Sequence, residues 1–195
     1  MKDLPTLKRK NIKLIQPSLT YENVEIYRKW LKEKSIKKGT GRYETYNHKK
    51  TYELLKRWQK DPLKAHWFVY LIENKKEIPI GDILLEIINK INEKNFPEFF
   101  KIPYFFKYKD KTEIATAISE KYQGKGFGTL SNKILIDYIF NKLNIKLIVV
   151  SFYIDNISSR KMCEKCGFKK RYIFTEKETG KKEIVLSLRK SEKEN

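Results

Sequence analysis

Hydrophobic positions along this chain switch between the alternating pattern of a strand face and the wider spacing of a helix face. Residues 1–10 are polar and predict a loose lead-in. Asn11–Gln16 alternates and predicts a short strand. Thr20 is a candidate N-cap for a helix over Tyr21–Lys34, with Val24, Tyr27, Trp30 and Leu31 on its apolar side. Gly39-Thr40-Gly41 predicts a loop, and a second helix runs over Lys49–Lys60 to the Asp61-Pro62 stop. Ala65–Glu73 and Ile78–Ile88 read as strands joined by a turn at Asn74-Lys75-Lys76, the second one interrupted by Gly81. Thr112–Ser119 is a strand, Glu120–Gly126 a loop and Phe127–Asn141 a strongly periodic helix. Lys146–Tyr153 is a buried strand, Asn156–Cys166 a short helix closed by Gly167, and Lys170–Glu176 with Glu183–Leu188 a hairpin across Thr179-Gly180. The order β-α-α-β-β-β-α-β-α-β-β predicts an α+β chain: one mixed sheet of about seven mostly antiparallel strands, flanked by about four helices.

Residues 89–111 break this rhythm. They hold seven aromatics and six Lys, with Pro97 and Pro103 stopping any helix. The segment reads as an irregular insertion or an extra β-ribbon. As a functional element it is a lid over a substrate groove; as an RNA surface its rings stack on bases. No repeat or linker divides the chain, so residues 1–195 read as one domain, with a charged tail at 190–195.

Composition narrows the class. Of 195 residues 40% are hydrophobic and 13% aromatic, enough for a packed core. Lys+Arg is 43 against 24 Asp+Glu, a net charge of +19 that attracts acidic partners. Lys supplies 36 of those cations and Arg only 7, and Arg is the residue that reads base edges and stacks on bases. Much of the charge is therefore read as compositional background. Two Cys, at 163 and 166, exclude a disulfide scaffold. There is no long apolar run and no leader pattern at the N-terminus, so the expectation is a soluble cytoplasmic protein without a membrane partner.

Gln123-Gly124-Lys125-Gly126-Phe127-Gly128-Thr129 is the most informative segment. It follows a predicted strand and opens a predicted helix. Its alternating glycines leave the backbone open to a ligand, and a helix N-terminus presents unpaired N–H groups and a positive dipole end. Lys121 and Lys125 add charge. These features suit a phosphate or pyrophosphate; the same glycines also suit a tight strand-to-helix connection with no ligand. The spacing matches neither a Walker A loop nor G-x-G-x-x-G.

The spacing Gln123-x-x-Gly126-x-Gly128 resembles the Q/R-x-x-G-x-G/A motif of the GNAT superfamily of acetyl-CoA-dependent N-acetyltransferases. Asn156-Ile157-Ser158-Ser159 followed by Glu164-Lys165-Cys166-Gly167-Phe168 is similar to that family's N-x-x-S/A…E-K-x-G-F helix. The resemblance spans about residues 11–189 and is closest to the branch of ribosomal-protein N-terminal acetyltransferases. Ile80-Gly81-Asp82 with its apolar followers also resembles the N-acetyltransferase-nine-like proteins. The resemblance implies an acetyltransferase-like fold whose fourth and fifth strands splay apart, with acetyl-CoA as co-substrate. It implies that Ala117, Ile118 and Ser119 pair with the pantetheine arm, that Gln123, Gly124, Lys125, Gly126, Phe127, Gly128 and Thr129 hold the pyrophosphate, and that Asn156 bonds the cofactor arm. Ser159 is the implied proton donor to the leaving sulfur; Cys163 stands where many members have Tyr and is a second candidate. Glu113, at the head of the fourth strand, is the first candidate base, followed by Asp82, Glu86 or a water chain.

Other motifs carry less. Cys163-Glu164-Lys165-Cys166 lacks a second pair for zinc and reads as packing, and His66 reads as structural. The function this implies is acetyl transfer to a primary amine on a protein N-terminus, a lysine or a small molecule, by direct attack in a ternary complex. Alternatives are a polyamine or aminoglycoside N-acetyltransferase and a non-catalytic CoA- or RNA-binding module. The expected partner is an amine-bearing protein or small-molecule acceptor, with nucleic acid reached only through a ribosomal substrate; the expected state is monomer or homodimer.

Overall fold

A computed structural model describes residues 3–40, 44–102, 104–176 and 179–193. Among the described residues, eight strands in chain order, β1 (Leu7–Arg9), β2 (Ile12–Ile15), β3 (Lys64–Glu73), β4 (Lys76–Ile88), β5 (Lys111–Ile118), β6 (Leu147–Tyr153), β7 (Lys169–Thr175) and β8 (Lys182–Arg189), take the order β1-β2-β3-β4-β5-β6-β8-β7, a mixed α/β open sheet. The chain clusters into two compact units, Met1–Leu85 with Ala115–Ile134, and Glu86–Ile114 with Leu135–Asn195. The expectation for Gly41 and those for Met1, Lys2, Pro103, Glu194 and Asn195 lie outside the described residues.

The first unit opens with β1 (Leu7–Arg9), which pairs antiparallel with β2 (Ile12–Ile15). The predicted loose lead-in is therefore partly a strand. Three residues with one half-buried side chain leave no hydrophobic pattern to read. β2 pairs antiparallel with β3 (Lys64–Glu73), Leu14 opposite Val69. Helix α1 (Tyr21–Lys32) starts where Thr20 Oγ1 accepts the Asn23 N–H at 3.3 Å. A short helix, α2 (Lys34–Thr40), then occupies part of the predicted 39–41 loop, and α3 spans His48–Lys60. Tyr27, Trp30 and Leu31 of α1 meet Leu54, Leu55 and Trp58 of α3 over Phe68 of β3. Burying each such side chain contributes about 1.5–3 kcal/mol.

β4 (Lys76–Ile88) and β5 (Lys111–Ile118) each contribute residues to both units. Within the first unit their backbones approach closely at Gly81, where a Cβ would stand 2.2 Å from the Ala117 carbonyl oxygen.

In the second unit, the described residues of 89–111 form no ribbon. They fold as 3₁₀ turns at Glu93–Asn95, Pro97–Phe99 and Phe105–Lys107, and Lys111 already belongs to β5. Phe96, Phe99, Ile102 and Phe105 pack with Leu147, Val149 and Val185. Most of the aromatic content is thus core, while Phe100 and Phe106 remain exposed. Lys111 is 2% exposed, with Nζ 3.0 Å from the Glu93 carboxylate and 4.3 Å from the Phe105 ring centre. The unit also holds β6 (Leu147–Tyr153), α5 (Ile157–Lys165), β7 (Lys169–Thr175), β8 (Lys182–Arg189) and α6 (Lys190–Lys193). β6 pairs with β8 through seven residue pairs, Leu147↔Arg189 to Tyr153↔Glu183. Its parallel register with β5 covers Thr112↔Ile148 and Glu113↔Val149 among the described residues. α4 (Phe127–Asn141) runs through both units and buries Ile134, Leu135, Ile136, Ile139 and Phe140.

Candidate functional site

The site is built at the end of β5. Ile118 and Ser119 are buried, and the Ser119 N–H donates to the Ile80 carbonyl at 2.9 Å. One 3₁₀ turn over Glu120–Tyr122 brings the chain to Gln123. Gly124 and Gly126 then adopt φ of +75° and +83°, conformations that L side chains resist. A Cβ on either would meet no atom within 4 Å, so the two glycines are required by the backbone path, and the space beside them is open. Residues 123–126 are exposed. The first helical bond of α4 runs from the Leu130 N–H to the Gly126 carbonyl at 3.0 Å, which leaves Phe127 and Gly128 in the helix's first turn. N–H groups there have no acceptor within a helix. Lys121 and Lys125 place their Nζ atoms 5.5 and 5.6 Å from the Tyr122 ring centre. An exposed backbone, opened by Gly124 and Gly126 and turning into a helix N-terminus with Lys121 and Lys125 near by, fits a pyrophosphate.

The loop is clamped from below by residues that the motif does not include. Glu33, at the end of α1, accepts from Ser119 Oγ and from the Glu120 N–H, both at 2.7 Å. Glu120 Oε1 accepts the Ser35 N–H at 2.7 Å. The Gln123 amide donates to the Ile118 carbonyl at 2.7 Å and to Ser35 Oγ at 2.9 Å. The Gln123 side chain is therefore spent on holding the loop to β5 and α2. Asn132, 3% exposed, donates to Thr116 Oγ1 at 3.0 Å and to the Gly128 carbonyl at 2.9 Å, tying the first turns of α4 to β5. Asn132 lies outside the motifs read from the sequence; a polar residue one helical turn, four positions, after Gly128 is the signal that could have marked it.

The remaining candidates lie in the second unit. Asn156 Oδ1 accepts the Ser159 N–H at 3.1 Å and caps α5, as a helix-start Asn should. Ser159 sits in the first turn, half-buried. Cys163 is 4% exposed, and burial together with the neighbouring Cys166 and Glu164 pushes its thiol up to about 12. Such a thiol keeps its proton at neutral pH, which suits packing. Cys163 and Cys166 are both free thiols. Glu113 is half-buried in the two-pair stretch of β5 opposite Val149. In the first unit Asp82 is 7% exposed and accepts from His66 Nε2 at 3.0 Å. No helix among the described residues is long and apolar enough to cross a membrane.

Comparison with known proteins converges on one group. The profile described as "Acetyltransferase (GNAT) domain" matches residues 14–169. An N-acetyltransferase 9-like protein of Caenorhabditis briggsae is 28% identical over 169 residues, covering 82% of this chain and 79% of that protein. An acetyltransferase (GNAT family) structure from Bacillus anthracis superposes with a TM-score of 0.74 at 15% identity, covering 96% of this chain and 99% of that one. The Vibrio cholerae spermidine N-acetyltransferase, solved with CoA and spermine, gives a TM-score of 0.72 at 18% identity over 96% of this chain and 100% of that one.

Proposed function

This chain belongs to the GNAT acetyltransferase family, and from that premise we propose that it transfers the acetyl group of acetyl-CoA to a primary amine by direct attack within a ternary complex. The supporting observation is the exposed loop over residues 123–126, with Gly124 and Gly126 at positive φ, clamped to β5 and opening into α4 at Phe127. We assign the pyrophosphate of acetyl-CoA to the backbone of Gly124–Thr129, with Lys121 and Lys125 adding charge. The backbone of Ala117, Ile118 and Ser119 pairs with the pantetheine arm, and Asn156 offers its amide N–H to the same arm. Gln123 contributes by fixing the loop, since its amide is already bonded inside the protein. Residues 1–195 act as one acetyltransferase domain, since the family match runs through both compact units.

An alkyl ammonium has a pKa near that of Lys, about 10.4, and must lose a proton before its nitrogen attacks the thioester carbonyl. Glu113 is the proposed acceptor of that proton. A strand N–H near Ile118 stabilises the oxyanion, and Ser159 Oγ donates a hydrogen bond to the departing thiolate. Cys163 is left in a packing role by its burial. The acceptor is an amine on a protein N-terminus, ribosomal proteins included, on a lysine or on a small molecule.

The test is release of free CoA from acetyl-CoA across a panel of amines. Turnover that depends on one amine class is the expected result, and Ser159→Ala should lower it about tenfold or more while acetyl-CoA affinity stays unchanged. Acetyl-CoA binding without turnover on any amine would place the chain among non-catalytic CoA binders.

A further inference from the structure

Asp82 presents a puzzle that the acetyl-CoA site does not explain. Its side chain is nine-tenths buried, and Oδ2 accepts from His66 Nε2 at 3.0 Å. Oδ1 is not among the buried atoms that lack a partner, so the carboxylate keeps a narrow opening to its surroundings. A carboxylate with so little access to water favours a donor or a cation brought to that opening. His66 is 3% exposed, and its Nδ1 is buried with no partner. Tyr27, Trp58 and Phe68 hold the imidazole edge-on, with ring centres 5.6, 5.0 and 5.7 Å away. His66 therefore stands fixed behind Asp82.

In front of Asp82 lies a pocket within the first unit. Its lining includes Tyr27, Trp30, Trp58, Leu84 and Ala117 of β5. Among the described residues that line it, Asp82 is the only charged side chain. Aromatic side chains around a single buried carboxylate are the chemistry that recognises an organic cation, since ring faces and a carboxylate both favour positive charge while the apolar walls accept a hydrocarbon arm. Residues 115–117 of β5 form one wall, the strand proposed above to hold the pantetheine arm.

We propose that this pocket binds the acceptor as a single ammonium group on an apolar arm, with Asp82 as its charge partner and His66 as the residue that positions Asp82. The inference rests on the acetyl-transfer reading above and names its substrate class. One carboxylate matches one ammonium; a second or third cation along the same chain would meet apolar wall. Polyamines and aminoglycosides are thereby disfavoured against monoamines and against N-terminal α-amines that follow an apolar side chain.

The experiment uses the full chain, acetyl-CoA and n-hexylamine, with spermidine as the polycation and 1-hexanol as the uncharged analogue. The expected result is acetylation of hexylamine with a lower KM than spermidine. Asp82→Asn should raise the hexylamine KM at least about 30-fold, with acetyl-CoA affinity within a few-fold of the parent. Asp82→Glu should recover part of the loss. His66→Gln should raise KM in the same direction, because Asp82 loses its orienting donor. An unchanged KM in a folded Asp82→Asn protein would overturn the proposal. If that variant does not fold, tryptophan fluorescence of the unmodified protein decides, since Trp30 and Trp58 line the pocket. Saturable quenching by hexylamine but not by hexanol supports the proposal, and equal binding of the two overturns it. Failure of the unmodified protein to bind acetyl-CoA would instead strike the acetyl-transfer reading itself.

Discussion

Two glycines near the site illustrate two different physical demands. Gly126 is required by its backbone angle, with φ of +83° and open space where a Cβ would go. Gly81 is required by space: a Cβ there would sit 2.2 Å from the Ala117 oxygen and 2.9 Å from the Ile118 Cα. Both obstacles are backbone atoms, which cannot rotate aside as a side chain does. Gly81→Ala should therefore destabilise the protein by about 2–3 kcal/mol in urea unfolding, since β4 must move off β5. It should also weaken acetyl-CoA binding, because Ala117 and Ile118 are the proposed partners of the pantetheine arm. Parent-like stability would show that β4 and β5 do not approach so closely. The sequence marked both residues, Gly126 through its motif and Gly81 as an interruption in a strand. It could not separate the two demands, because close approach is a property of the partner strand. Asp82 and His66 show the same limit. Sixteen residues apart in sequence, they read as a weak base candidate and a structural histidine until β3 and β4 place them 3.0 Å from each other.

At the scale of elements, long amphipathic segments were legible and short ones were not. α1, α3, α4 and α5 fall close to their predicted spans because each repeats an apolar face and most carry a readable cap. β1, α2 and the 3₁₀ turns of residues 93–107 have too few residues for a period to show. The C-terminal segment read as a charged tail, yet Lys190–Lys193 forms α6, and Glu192 is buried there by its pairings. Its carboxylate lies 3.0 Å from Arg171 and 3.0 Å from Arg189, and it also accepts the Arg189 backbone N–H at 3.0 Å. Burial alone would raise this carboxyl; the hydrogen bonds from Arg189 and Arg171 outweigh it and hold the group down at about 2, below its ordinary 4.5. A carboxyl lowered by folding stabilises the native state above its unfolded value, and the contribution fades as pH falls through the folded value. The thermal midpoint of the parent should accordingly exceed that of Glu192→Gln at neutral pH. The gap should close between pH 4.5 and about 2. A gap that stays constant over that range would show that Glu192 is not held as an ion by β7 and β8.

For the whole molecule, charge is the feature most open to misreading. A net +19 would draw in any polyanion, and on composition alone nucleic acid is as natural a partner as a cofactor. The structure narrows this, because the interleaved aromatics at 96–105 that could have stacked on bases are mostly packed inside the second unit. The loop at 123–126, exposed and leading into α4, is the segment proposed above to take the anion. The family was legible in two short motifs because those residues are tied to backbone geometry. The acceptor was not, because its recognition falls to side chains that only the fold gathers. The central claim is that the loop binds acetyl-CoA by shape and that bulk charge is secondary. Calorimetric titration of the full chain with acetyl-CoA, alongside ATP and a short RNA at equal ionic strength, tests it most directly. Saturable binding of acetyl-CoA at one site per chain, well above the other two anions, is the expected result. Comparable binding of all three, or none of acetyl-CoA, would contradict it.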